Sequence, residues 1–488
     1  MQVTTPFNKT ENIAQFLQTE FNRYKTSADF VAFKLVREKT RDYSVRNGKT
    51  EELNEFIDCG VLIEIMIKGH MGYGATSELS VDGIKKAFHQ ALEMTKKASQ
   101  SAVYRFEKSI RPSVKGTYST ARTTRLDNLT MAGIFDFLKQ TSQALKVSDQ
   151  VITAVSDAML IECVQNYFSS EGTEIYQDFD IIVHSMSATA SNGQESQTRS
   201  LHGGRGNCIQ AGAEYFQLDR ALPECQQIGR EALELLVADN CPSETCDLIL
   251  APDQMLLQIH ESIGHPLELD RILGDERNFA GWSFVQPSDF GNLQYGSRMM
   301  NVVFDPTVTN ELASYAYDDV GNKAEKKHLI KDGVLTAALG SLESQARSNI
   351  SGVANARSSS WNRAPIDRMA NINLEPGTET LDQLVAKVER GVMMFANRSW
   401  SIDDYRRKFQ FGCEYGKLIE NGKVTKTLKN PNYRGVTVPF WNSLAGLSRT
   451  SETYGSPYCG KGEPSQVIRV GHSSPYALFK NIEVFGGG

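Results

Sequence analysis

Long apolar runs are the first thing this sequence lacks. No stretch approaches the roughly 18–20 consecutive apolar residues that a bilayer-spanning helix needs, and the strand-like Val61–Ile67 is interrupted by Glu64. The opening Met1-Gln-Val-Thr-Thr5 has no basic region followed by an apolar one, so no secretory signal is expected. Cysteine is sparse, 8 in 488 residues, and Cys241 and Cys246 form a C-x4-C pair without a second pair, which argues against a zinc knuckle. Such usage suits a reducing compartment, and a cytoplasmic location is expected. Positive charge is not in excess either: 52 Lys and Arg face 58 Asp and Glu, a net charge of −6. Nucleic-acid affinity comes largely from phosphate neutralisation, so neither a nucleic-acid partner nor a membrane partner is expected. The basic clusters Arg406-Arg407-Lys408 and Lys326-Lys327 read as solvated faces.

What is present is an ordinary globular composition, 40% hydrophobic and 23% charged, in a chain long enough for two or three domains. Extended patterns at Asp29–Val36, Thr40–Arg46 and Gly60–Ile67 surround an Asn47-Gly48 turn. A helix is expected from a Ser80 N-cap to about Ala98, with Ile84, Phe88, Ala91 and Leu92 on one face. Another is expected over about Leu129–Lys146, followed by strands Met159–Phe168 and Thr173–Ala188. Polar Thr189–Thr198 reads as a surface loop, and Glu224 to about Ala238 as an amphipathic helix. Two similar hairpins, His328–Thr336 and Lys417–Thr425, turn on Asp-Gly and Asn-Gly, which suit a type I′ turn. The pattern predicts an α+β fold: an N-terminal sheet-and-helix domain over 1–228 and a β-rich C-terminal domain over 229–488.

One segment carries chemistry: His260-Glu261-Ser-Ile-Gly264-His265-Pro266-Leu-Glu268. Two imidazoles with a carboxylate beside the first are what a hydrolytic zinc site requires, the histidines as ligands and the Glu as base. With 8 His, and counting all 58 acidic residues as Glu, His-Glu-x-x-x-His is expected by chance at most about 0.016 times per chain. The spacing is unusual. On a regular helix residues i and i+4 project within about 40° of each other, whereas i and i+5 diverge by about 140°. A π-bulge would bring both rings to one face. Gly264 eases an unusual backbone, while Pro266 biases His265 away from the α region and offers a helix end instead. Either way the helix is expected to be irregular between residues 262 and 266.

This segment, continued to Asp270, resembles the signature of the TldD/PmbA metallopeptidases, specifically their TldD-type, metal-binding branch. Gly60-Val-Leu-Ile-Glu64 and Gly72-Tyr-Gly-Ala-Thr-Ser77 look like that family's N-terminal domain. Tyr317-Asp-Asp-Val-Gly-Asn322, the Lys331-Asp-Gly333 hairpin, Ala364-Pro-Ile-Asp-Arg-Met-Ala-Asn371 and Tyr458-Cys459-Gly460-Lys461-Gly462 look like its C-terminal domain. The resemblance implies Cys459 as third ligand, 194 residues after His265, completing a His-His-Cys set for Zn²⁺ with a fourth position for water. Glu268 is the competing third ligand, and His472 a more remote one. Pro266 and the stretch Trp282–Gly296 depart from the family pattern.

The resemblance further implies a zinc-dependent peptidase acting on small or unfolded peptides, with Glu261 as general base. It implies a dimer, either of like chains or with a metal-free family member. The alternative is a non-enzymatic regulatory or binding subunit with an absent or structural metal site, which would have no need of a carboxylate beside His260. Outside this segment, His202-Gly-Gly-Arg-Gly-Asn207 lacks the P-loop Lys-Ser/Thr and reads as a turn or a loop shaped around substrate. Arg199 and Arg205 are candidates there for carboxylate or carbonyl recognition. Phe440, Trp441 and Trp361 read as core.

Overall fold

The computed structural model describes residues 10–101, 104–106, 110–203, 205–278, 281–462 and 465–487; Met1–Thr5 and Gly204, considered above, lie outside the described residues. Helix α1 (Thr10–Tyr24) leads into the hairpin β1 (Phe30–Arg46) and β2 (Lys49–Ile67). The hairpin turns on Asn47 and Gly48 at φ 49° and 74°, the positive values that Asn-Gly tolerates. Strand β3 (His70–Thr76) follows, then α2 (Val81–Ser101), capped as expected by Ser80 Oγ, which accepts from Gly83 N at 3.1 Å. Ile84, Phe88 and Ala91 of α2 pack with Leu17 and Phe21 of α1 onto Val31, Phe33 and Ile63 of the sheet.

Strand β4 (Lys115–Ser119) and helix α3 (Met131–Leu145) precede the long antiparallel pair β5 (Val151–Ser169) and β6 (Glu174–Ser191). The polar stretch read as a loop is instead the end of β6 turning into β7 (Ser196–Ser200), with Ala190 opposite Gln197. Its polar side chains do not prevent pairing, because Thr189 and Thr198 hydrogen-bond to each other across the ladder. Strand β8 (Asn207–Gln210) also pairs with β6, giving a sheet ordered β3-β2-β1-β5-β6-β4 with β7 and β8 at its margin. Helix α4 (Leu218–Val237) begins six residues earlier than the pattern suggested and carries Pro223 within it. Residue 228 lies inside α4, whose Cys225, Ile228 and Ala232 pack against Met186 and Ala188 of β6.

The chain enters a second sheet at β9 (Asp239–Asn240) and β10 (Glu244–Leu250). Its other strands are β11 (Arg390–Ile402), β12 (Lys408–Glu420), β13 (Lys423–Lys429), β14 (Pro431–Val436), β15 (Leu444–Lys461) and β16 (Gln466–Gly486). The order β11-β10-β16-β14-β12 is closed by a further β11–β12 pairing, so five strands form a ring, with β15 added to β16. Both Gly-turn hairpins form: Asp332-Gly333 and Asn421-Gly422 have φ values of 49°, 78°, 51° and 73°. The architecture is α+β, with a β-rich C-terminal half. Among the described residues no helix is long and apolar enough to cross a membrane.

Candidate metal centre

Between β10 and the rest of the second half runs helix α5 (Pro252–Ile259), buried on every side. Its apolar residues explain only part of that burial. The rest is a polar ladder at i, i+4 spacing. Gln254 donates to the Tyr433 hydroxyl at 2.9 Å, that hydroxyl donates to Gln258, and Gln258 donates to Ser262 Oγ. Trp441 Nε1 also donates to Ser262 Oγ, at 2.9 Å. Buried polar atoms are tolerated when satisfied in this way, and here they fix the rotation of the helix.

After Ile259 the helix changes form. His260–Gly264 is a π-turn, and the His265 N–H donates to His260 O, an i→i+5 bond. A single 3-10 turn, His265–Leu267, then ends it. The 140° mismatch is thus resolved by widening the turn. His265 keeps α-region angles (φ −59°, ψ −42°) despite Pro266, so the proline shapes the exit and not the ligand. Gly264 has ordinary helical angles as well; a Cβ there would lie 2.0 Å from Met369 Sδ, so space and not backbone freedom demands the glycine.

The π-turn brings His260 and His265 edge to face, ring centroids 4.8 Å apart. Cys459, near the end of β15, comes up opposite with Sγ 3.9 Å from His265 Nε2. One ligand atom from each of the three residues lies within 4.8 Å of the others, and all three are buried. His472 Nδ1 lies 3.0 Å from Ile372 O, which can only accept, so that nitrogen carries the proton. His472 Nε2 therefore accepts from His260 Nδ1 at 3.0 Å, leaving His260 Nε2 with its lone pair. His265 Nδ1 likewise donates to Glu268 Oε2 at 3.0 Å, leaving Nε2 toward Cys459. Burial lowers His260 to about 4 and lowers His265 too, keeping both rings neutral. Burial raises the Cys459 thiol, but His265 and Arg368 outweigh it and bring it below its usual value; Arg368 Nη2 stands 3.4 Å from Sγ. Two buried imidazoles, each with Nε2 left to bind, and a thiol shifted toward its ionised form are a donor set that fits zinc.

The two competing ligands thus lie behind the cluster. Glu268 orients His265, and His472 orients His260, as partners behind metal ligands commonly do. Burial opposes the Glu268 charge, but Lys461 and His265 hold its carboxyl well below the usual range. Lys461, two residues after Cys459 and fully buried, reaches Asp270 Oδ1 at 2.6 Å and Glu268 Oε2 at 3.5 Å. The Cys-Gly-Lys-Gly element therefore supplies both a donor and the cation that balances the carboxylates behind it.

Glu261 faces a cavity of about 450 Å³ shared with His260, His265 and Cys459. Arg406 Nη1 donates to its Oε2. This corrects the reading of the 406–408 run as wholly solvated: Arg407 and Lys408 are exposed, but the Arg406 side chain is only 15% exposed and turns inward. Its backbone has φ 63°, at the tip of the β11–β12 hairpin. Trp282 stacks on Tyr405 of that tip, its backbone N–H donates to Asp404 O, and Tyr295 donates to Ser262 O in the π-turn. The unfamiliar stretch Trp282–Gly296 thus braces both the donor helix and the Arg406 hairpin. Phe440 and Trp441 are core, while Trp361 lies half-buried and donates to Asp58.

An α+β chain with a buried His-His-Cys cluster beside a carboxylate has the makings of a metallopeptidase. Residues 243–486 match the PmbA/TldA metallopeptidase C-terminal domain and residues 32–95 match PmbA/TldA metallopeptidase domain 1. The chain belongs to the TldD/PmbA metallopeptidase family. It is 25% identical over 446 residues to a metalloprotease of Methanocaldococcus jannaschii, covering 91% of this chain and 94% of that protein. A zinc metalloprotease TldD homolog of Saccharolobus solfataricus is 24% identical over 242 residues, 49% of this chain and 51% of the relative. Among solved structures, a putative modulator of a DNA gyrase from Thermotoga maritima superimposes with a TM-score of 0.74 over 96% of this chain and 99% of its own, at 17% identity. That last likeness speaks to the fold alone.

Proposed function

We propose that this protein is a zinc-dependent peptidase that hydrolyses small or unfolded peptides, with His260, His265 and Cys459 as metal ligands and Glu261 as general base. The observation that carries the reading is the convergence of three buried donor atoms within 4.8 Å beside a carboxylate in the same cavity. A zinc ion held there would polarise a peptide carbonyl and make water acidic enough to attack it. Glu261 would take the water's proton on its carboxylate and pass it to the leaving amine nitrogen. Arg406 holds one oxygen of that carboxylate and so fixes its orientation.

The outer side of β15 near Cys459 supports binding of an extended peptide by strand addition. Space beside Gly460 is open, and Tyr458 is 66% exposed. We further infer cytoplasmic action, supported by eight free cysteines. We also infer a dimer, with a second copy or with a metal-free relative. The outer part of β2 supports the dimer: Leu53, Phe56 and Ile57 are exposed there. The test is metal content per chain measured together with cleavage of an unfolded peptide by wild type and Glu261→Gln. A chain that retains no zinc after reconstitution, or a Glu261→Gln variant as active as wild type, refutes the reading.

A further inference from the structure

We propose that Arg205, stacked on Trp400, forms a carboxylate-binding subsite next to the donor cluster, so that the peptides processed carry a carboxylate close to the cleaved bond. The inference rests on the peptidase reading and adds to it a class of substrate.

The arginines around the cavity differ in how their charge is met. Arg199 pairs with Glu231 and Glu414 at 2.8 and 3.0 Å, which makes it part of the scaffold joining the two halves. Arg406 is paired with Glu261, and Arg368 faces the Cys459 sulfur. Arg205 has no carboxylate within ion-pair distance among the described residues. Among the described residues its Nη1 meets Asn397 Oδ1, at 3.2 Å, and its guanidinium carbon lies 5.2 Å from the centre of the Trp400 ring. Asn397 is itself pinned, donating from Nδ2 to Ser399 O and Gly412 O. Arg398, which also borders the cavity without an ion pair among the described residues, is exposed and donates to Asn430 Oδ1 at 3.1 Å, so Arg205 is the half-buried guanidinium there that lacks a carboxylate, with the Trp400 ring behind it. That is an arrangement suited to bidentate capture of a carboxylate.

The loop is shaped to put it there. Gly203 and Gly206 flank Arg205 with φ of 76° and 68°. A Cβ on Gly203 would lie 2.5 Å from Asn397 O, and one on Gly206 would lie 2.1 Å from His184 O. The turn is thus clamped between β6 and β11, and the arginine is presented from a tight support. Arg205 and Tyr458 also border a second cleft of about 960 Å³ along β1, β2, β5 and β6, whose lining carries Asp42, Glu51, Glu52 and Asp157 and leaves Arg205 and Arg46 as its cations. Arg205 and Tyr458 are thus shared by the lining of the donor cavity and that of the cleft.

The test compares three N-acetylated alanine hexapeptides: a free acid, a C-terminal amide, and an amide with glutamate next to last. Binding is measured calorimetrically on zinc-reconstituted Glu261→Gln protein, and cleavage on wild type. At least one carboxylate-bearing peptide should bind about 10-fold or more tighter than the neutral amide, the effect of hydrogen bonds to a charged group. Preference for the free acid assigns the site to a chain terminus, and preference for the glutamate peptide to a side chain. Arg205→Gln should reduce the ratio to about one, and Arg205→Lys should keep part of it because charge remains without the fork. In cleavage the loss should fall on KM for the acidic peptide. Equal binding of all three peptides overturns the proposal, as does a ratio preserved in a folded Arg205→Gln protein. A kcat lowered equally on acidic and neutral peptides would place Arg205 at the reacting carbonyl and also overturn it. If Arg205→Gln does not fold, Trp400→Leu takes its place with the same expected loss of preference. Selective binding without cleavage of any peptide by wild type would refute the peptidase reading and leave the subsite standing.

Discussion

His260 and His472 are 212 residues apart in sequence and 3.0 Å apart through their ring nitrogens. Because Ile372 O fixes the proton on the far side of His472, the contact selects the tautomer of His260. It makes Nε2 a donor atom before any metal arrives. His472→Ala removes no ligand, yet it should lower zinc affinity about 10–100-fold, the usual effect of losing a partner behind a ligand. Competition against a calibrated chelator measures this, and wild-type affinity in the variant would show the contact to be idle.

Cys459 and Glu268 have different roles, and their variants should separate accordingly. Cys459→Ala deletes a donor atom, so stoichiometric zinc should be lost at micromolar protein. Glu268→Gln keeps an acceptor for His265 Nδ1 but removes the charge that offsets Lys461, so zinc should remain with an affinity reduced by about 10–100-fold. The reverse result, zinc retained without Cys459 and lost with Glu268→Gln, would make Glu268 the ligand.

These partners also mark where sequence reasoning ends. The hairpins at Asn47-Gly48, Asp332-Gly333 and Asn421-Gly422 were legible because the turn chemistry is local. The π-turn was legible because a spacing of five is incompatible with a shared face on a regular helix. Cys459 became visible only through family resemblance, since a lone cysteine in a Gly-containing turn carries no signal of its own. Arg368, Arg406 and the orienting role of His472 were not legible, for each reaches the site from about 100 residues away or more. Arg406 was further hidden in a basic run whose other members do face water. Its inward turn depends on a left-handed backbone at the hairpin tip that nothing in the triplet announces.

Gly264→Ala tests the packing that holds the π-turn. The added methyl would meet Met369 Sδ at 2.0 Å, far inside van der Waals contact. Overpacking of a core site costs about 1–3 kcal/mol, so the melting temperature should fall and zinc affinity with it as His265 shifts. Met369→Ala in the same chain should recover part of the loss, giving a double-mutant cycle that is clearly non-additive. Additive losses would mean that Met369 is not what excludes the methyl.

Among the buried groups that should make stability depend on pH, Glu311 and His184 act with opposite signs. Burial raises Glu311 to about 8, so the folded state holds its proton more tightly than the unfolded chain does. Its contribution is complete below pH ~4.5 and is lost as pH rises through about 8, at about 1.4 kcal/mol per pH unit within that window. Burial lowers His184 to about 4, so its contribution is complete above pH ~6.5 and is lost as pH falls toward 4. Denaturant melts across pH 4–9 should show both limbs. Asp318, raised by burial to about 7, and Asp270, raised to about 8, add to the alkaline limb, so Glu311→Gln should make it shallower and leave the acid limb in place; an unchanged alkaline limb refutes the assignment.

The last expectation separates the base from the group that holds it. Glu261→Gln keeps the shape of the side chain beside an intact donor set but cannot accept a proton. Zinc should therefore stay bound while kcat falls by about 10²–10⁴-fold, the usual effect of losing a general base. Arg406→Ala leaves the carboxylate in place and frees it to rotate, since the Arg406 guanidinium holds Oε2. It too should keep its zinc, with a smaller loss of kcat than Glu261→Gln, and Arg406→Lys should restore part of it. In the double variant Arg406→Ala with Glu261→Gln, no further loss should appear, because the arginine acts through the glutamate. A full additional loss there would mean that Arg406 touches the substrate itself, and its role would have to be reassigned from positioning to catalysis.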